Sequence, residues 1–189
     1  MSMEISAKTL KQEQYMVPIK IILMYIVWKI FHWFAIQPGT ALNHYWESFI
    51  FHLSSIYAVI TAFFVSVLGM KAVADGININ LIESNRQIWV QDHCLAIPAM
   101  VVFTGSVIFF RGAIKDKATF LFLGLIGIVI INIVRLIFVC FAFVYLSEYY
   151  FKMHHSVIYV IITYGFIFYL ITRWMDRIII KNQTETKDL

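Results

Sequence analysis

Long apolar runs limit this chain more than any other feature. Five stretches, about Pro18 to Ile36, Ser48 to Met70, Leu95 to Phe110, Ala118 to Tyr145 and Ser156 to Thr172, approach the roughly 20 residues a helix needs to cross a hydrocarbon core. With no water to satisfy backbone groups at that depth, helices are the simplest way to build such segments. Composition agrees: 61% of the 189 residues are hydrophobic and 14% charged, against about 25% charged in a soluble domain. The expected fold is an all-α polytopic transmembrane helix bundle, a single integral-membrane domain with four to five membrane helices. A disordered chain, a disulfide-stapled secreted domain and an ordinary cytosolic enzyme are excluded, since each needs a polarity or cysteine count missing here. The formal net charge of +4 is small and spread beside apolar runs, which gives nucleic-acid binding no support.

The polar intervals organise the bundle. Residues 1–17 form a polar leader with Lys8 and Lys11. Residues 71–93 form the longest polar loop, whose alternating Ile77-Asn78-Ile79-Asn80-Leu81 and Gln87-Ile88-Trp89-Val90 predict short strands in a cap at the membrane face. Residues 91–174 carry the presumptive chemistry, and 175–189 form a basic tail. Short cytoplasmic loops retain Lys and Arg, which assigns the Arg111–Lys117 turn and the tail after Arg173 to the cytoplasm and Cys94 with the Ser147–His155 connection to the outside. Five full crossings would leave Lys8 and Lys11 outside, so a four-span version, with the second apolar stretch entering without crossing, stands beside the five-span one. That second stretch, with Glu47 just before it, sets Glu47, Ser54, Ser55, Ala58, Thr61, Ala62, Ser66 and Gly69 along one stripe, a helix-packing face of mostly small residues.

An ionisable side chain inside a membrane segment is costly and by default marks function. Arg135 is such a residue. It lies 17 residues after Ala118, which at 1.5 Å per residue sets it roughly 25 Å from the cytoplasmic start, near the outer edge of a core about 30 Å thick. Cys94 opens the third apolar stretch and His154-His155 precede the fifth at that same edge. A thiolate attacks carbonyl carbon, a histidine can take and return the thiol proton, and an arginine can hold an oxyanion or a substrate carbonyl. Asn132, three residues before Arg135, shares its helix face and can orient Arg135 or donate to substrate. The structural alternatives are an inert buried Cys94, an Arg135 paired with Glu148 or Asp92, and an interfacial His154-His155 pair. His93-Cys94 with His154-His155 lacks the paired spacing of a zinc site, so no metal and no cofactor is expected. His32, His44 and His52 read as interfacial or helix-packing residues. Polar residues gathered at one edge, rather than along the midplane, disfavour a transporter.

Cys94 opening one helix, Asn132-x-x-Arg135-Leu136 inside the next and His154-His155 opening a third resemble the exosortase/archaeosortase family of integral-membrane sorting enzymes, over roughly Gln91 to Trp174. The resemblance implies a cysteine transpeptidase or endopeptidase of the cell inner membrane, multi-pass and outward-facing. Its substrate would be an exported protein with a C-terminal sorting signal: a short motif, a transmembrane helix and a basic cluster. It implies Cys94 as nucleophile, Arg135 as substrate or oxyanion stabiliser and His154, with His155 as alternate, as acid/base. The chain departs from the family pattern after the cysteine, where Leu95-Ala96-Ile97 stand in place of a common glycine, and after the histidines, where Ile158 and Tyr159 replace another. A non-catalytic membrane scaffold or assembly protein is the alternative reading.

Overall fold

The computed structural model describes residues 19, 21–109, 113–146 and 159–185. Helix α1 (Ile21–Ala35) ends at the Pro38-Gly39 turn, where Gly39 has φ +81°. Thr40 then caps α2 (Ala41–Val67), accepting the Asn43 backbone N–H at 3.1 Å, as N-cap hydroxyls do for an orphan amide. The Asn43 side chain donates to the Ala35 carbonyl at 3.2 Å and ties the two helices at this corner. The cap explains why α2 begins before Ser48: the polar first turn Asn43-His44 is held by hydrogen bonds rather than by hydrophobicity. On the inner stripe of α2, Ser54, Tyr57, Ala58, Thr61, Ala62 and Val65 are buried.

At its far end the Ser66 hydroxyl donates to the Ala72 carbonyl at 2.9 Å and accepts the Ala72 N–H at 3.2 Å, reversing the chain into a small sheet. Strands β1 (Ala72–Asp75), β2 (Asn78–Leu81) and β3 (Arg86–Trp89) pair antiparallel in that order. The Asp75↔Asn78 register closes around Gly76-Ile77, a two-residue hairpin loop whose Gly76 adopts φ +58°, the conformation such turns require. The two alternating pieces of the loop form β2 and β3. β1 escaped notice because Ala72-Val73-Ala74-Asp75 has little β-propensity and is held by Ser66 and by pairing. Alternation puts Ile79 and Leu81 inward, 0% and 1% exposed, in one core cluster with Tyr57 and Val65 of α2.

Helices α3 (Ile97–Phe109), α4 (Ile114–Tyr145) and α5 (Tyr159–Glu185) pack around a second cluster that includes Phe103, Val107, Ile128, Ile167, Ile171 and Trp174. Lys117 donates to the Ile108 carbonyl at 2.9 Å, satisfying an orphan acceptor at the end of α3. The sheet meets the opposite end of α4, where the Arg86 guanidinium lies 5.0 Å over the Phe143 ring and donates to its carbonyl. Among the described residues α2 and α4 are long and apolar enough to cross a membrane, whereas α1, α3 and the apolar part of α5 (Ile161–Trp174) are shorter. Two full-length candidate spans and three shorter apolar helices thus occur among the described residues, where four to five membrane helices were expected. Phe63, Val67, Phe122, Leu123 and Phe138 remain largely exposed on these two helices, as lipid-facing side chains of a membrane protein do.

Gly124 permits the closest approach of α3 and α4, since a Cβ there would collide with the ring of Phe103, which is itself fully buried. Gly124→Ala is expected to destabilise the bundle by about 1–3 kcal/mol through overpacking. Gly165→Ala, facing open space, should be neutral or slightly stabilising; thermal unfolding in detergent compares the two.

Candidate functional site around Cys94

Cys94 does not sit in a helix. It closes a short 3-10 turn, Asp92–Cys94, in which its N–H donates to the Gln91 carbonyl at 2.8 Å and the Leu95 N–H to that of Asp92 at 3.1 Å. α3 starts three residues later than Cys94. Pro98 supplies the reason: without an N–H, and with a ring that clashes one turn back, it is tolerated only in a helix's first turn. The chain changes direction at Ala96, which takes φ +55°, a left-handed conformation that costs a non-glycine residue about 1–2 kcal/mol. Ala96 falls within the two residues after the cysteine in which the family pattern commonly has a glycine. The backbone keeps a glycine-like geometry with alanine in it.

α4 supplies the other half of the site. Asn132, 0% exposed, donates from its side-chain amide to the Cys94 carbonyl at 2.5 Å. Arg135, one turn on, donates to the Asn132 side-chain oxygen over a long 3.5 Å. One asparagine thus joins the cysteine turn to the membrane-embedded arginine. Asn132 is one hydrogen-bond partner of this arginine; Glu148, one of the two acids weighed as its partner, lies outside the described residues. Across the helix interface the Tyr57 hydroxyl is buried beside Asn132 but outside hydrogen-bond geometry. Ser54, Tyr57 and Thr61 on α2 all carry buried hydroxyls that have no partner among the described residues. The inner face of α2 therefore carries unspent hydrogen-bonding groups, of which Tyr57 lies beside Asn132, and native interiors rarely leave such groups without a purpose.

Cys94 is 5% exposed and its thiol is unpaired with Cys140. Burial pushes the thiol pKa up from its ordinary value; the Gln91 backbone bond and the Arg135 charge pull it back, and the Asp92 carboxylate adds to the rise. The resting group is a thiol, so nucleophilic attack needs a base to remove its proton. His154 and His155 lie outside the described residues. A different histidine is present close by: His32 Nε2 of α1 lies 3.4 Å from Asp92 Oδ2, two residues before Cys94. The reading of His32 as an interfacial or helix-packing residue fits its ring contacts with Trp28 and Trp46 but did not include this pair. The signal was available, since His32 interrupts an apolar run just as Arg135 does. No group of three or more metal-binding side chains occurs among the described residues.

Two outcomes follow from this geometry. In a Cys140→Ser background, alkylation of Cys94 by iodoacetamide should accelerate with pH through a midpoint above the ordinary thiol value. Arg135→Gln should move it higher, because the lowering charge is lost, and Asp92→Asn lower. Independently, Ala96→Gly should raise thermal stability or leave it unchanged, whereas Ala96→Val, β-branched at positive φ, should lower it by about 1–3 kcal/mol.

The transmembrane exosortase family model matches residues 16–175, well over half of the chain and including the first helix and the sheet as well as the cysteine and arginine segments. Neither the curated proteins nor the solved structures hold a match to it.

Proposed function

Since the chain belongs to the transmembrane exosortase family, we propose that it is a membrane-embedded cysteine transpeptidase or endopeptidase that cleaves a C-terminal sorting signal of exported proteins. The observation that carries this reading is the Asn132 bridge, which joins the backbone of Cys94 to Arg135 across two elements 38 residues apart. In the proposed reaction Cys94 Sγ attacks the scissile carbonyl after losing its proton to His154, or to its neighbour His155. Arg135 holds the oxyanion, and Asn132 fixes both Arg135 and the turn that presents the thiol. The histidine then protonates the leaving amine, and a thioester remains on Cys94 for water or an amine to resolve. A permanently charged guanidinium in a low-dielectric site suits the oxyanion role, because its field is little screened there.

The substrate is proposed to be helix-anchored, its transmembrane segment lying against the apolar faces of α2 or α4 and its motif reaching the Cys94 turn. In this reading that turn, the sheet and His154-His155 face outward from the cell inner membrane, with the basic tail on the cytoplasmic side. The deep burial of Cys94 favours a second reading, a non-catalytic scaffold in which the thiol is only packing.

Co-expression with a tagged protein bearing a candidate C-terminal signal separates the two. Cys94→Ser should abolish processing while the variant accumulates folded, and Arg135→Gln should slow it by about 10²–10³-fold, the usual consequence of losing an oxyanion donor. Full processing by Cys94→Ser would leave the scaffold reading standing.

A further inference from the structure

Beside the Cys94 turn, between the start of α2 and the β-sheet, lies a groove of about 500 Å³, within the range of small-ligand sites. Glu47 and Asp92 supply carboxylates to it, and Asn43, Gln91, Trp46 and Ser54 line it as well. Among the described residues no lysine or arginine does. Asn43 donates one amide hydrogen to the Ala35 carbonyl, which fixes its side chain with the oxygen left as an acceptor. Ser54 is 1% exposed and its hydroxyl has no partner among the described residues, so a buried polar group at this groove awaits one. The lining is rich in acceptors, carries negative charge and adds an indole whose face attracts cations.

We propose that this groove binds a primary ammonium and is the acceptor subsite of the transfer reaction. The inference rests on the thioester reading above. Among cations, a metal ion is poorly matched, since no cluster of three ligating side chains is present among the described residues. A guanidinium would fit by charge but is no nucleophile. An ammonium held here lies next to Asp92, against which His32 is set at 3.4 Å. The ammonium gives one proton to the His32–Asp92 pair, and the free amine attacks the thioester carbonyl. A C–N bond forms and the C–S bond breaks. The sulfur leaves with the pair of electrons and takes the second nitrogen-bound proton to become the Cys94 thiol, while the first proton passes from His32 to solvent. The products are an amide and the resting enzyme, with no oxidant or reductant needed.

Ligand-observed NMR on the full-length protein in detergent, titrated with ethanolamine, tests the site apart from catalysis. Saturable binding is expected in the wild type, with none for the neutral ethylene glycol. Cys94→Ala should bind equally well. Glu47→Gln, and separately Gln91→Lys, which sets a competing ammonium in the groove, should each weaken binding at least tenfold. No saturable binding to the wild type, or unchanged binding in whichever of these two variants folds, overturns the proposal. Ethanolamine binding without any processed product would sink the thioester reading and leave the ammonium site standing. With processing active, an ethanolamide terminus on the product supports a soluble amine. A product joined to phosphatidylethanolamine, in vesicles of that lipid but not of phosphatidylcholine, assigns the amine to a headgroup.

Discussion

The hydrogen bond from Asn132 to the Cys94 carbonyl holds this structure's two halves in functional register. One half is the cap, three short strands and the turn after them, whose own core is small. The other is α4, a 32-residue helix. An unpartnered carbonyl or amide at such a buried place costs about 1–3 kcal/mol, so each group holds the other in position, and the bond fixes where the thiol stands along α4. Arg135 is anchored by the same asparagine through its other polar atom. The arrangement uses both ends of one side-chain amide, which is why an aspartate or leucine there could keep at most one of the two contacts.

Around that bond the site has opposed tendencies. Burial keeps Cys94 protonated while the nearby guanidinium favours the thiolate. A thiol that is quiet at rest and reactive once a base and a substrate arrive suits an enzyme whose substrate is presented by a neighbouring helix, because an exposed thiolate at a membrane surface would be open to oxidation. The strained turn at Ala96 belongs to the same economy of position: the proline two residues on forbids an earlier start to α3, and the chain must then bend sharply to bring Cys94 under Asn132.

Much of this was legible in the sequence, for physical reasons that can be named. Arg135 announced itself by standing charged in an apolar run, and Asn132 by sharing its face one turn earlier. The family resemblance rested on Cys94, those two residues and His154-His155, and the match over residues 16–175 shows the family assignment to be right. Helix boundaries were less legible, because caps such as Thr40 and stops such as Pro98 act through single hydrogen bonds that hydropathy does not register. β1, and the partner of His32 though not the oddity of a histidine in an apolar run, were illegible for a different reason. Each depends on a tertiary neighbour, Ser66 for the strand and the cysteine turn for the histidine, and no local pattern encodes that contact. Apolar residues in α1, α3 and α5 likewise signalled membrane affinity without fixing helix length.

The central claim is that Cys94 carries an acyl group during turnover. Its most direct test is intact-mass and peptide mapping of the purified protein after brief exposure to a signal-bearing substrate, quenched in acid to preserve thioesters. The account predicts a hydroxylamine-labile acyl adduct on the peptide containing Cys94, reduced in Arg135→Gln and absent in Cys94→Ala. Substrate cleaved at its signal with no such adduct formed on Cys94, even when resolution is slowed by cold, would contradict it.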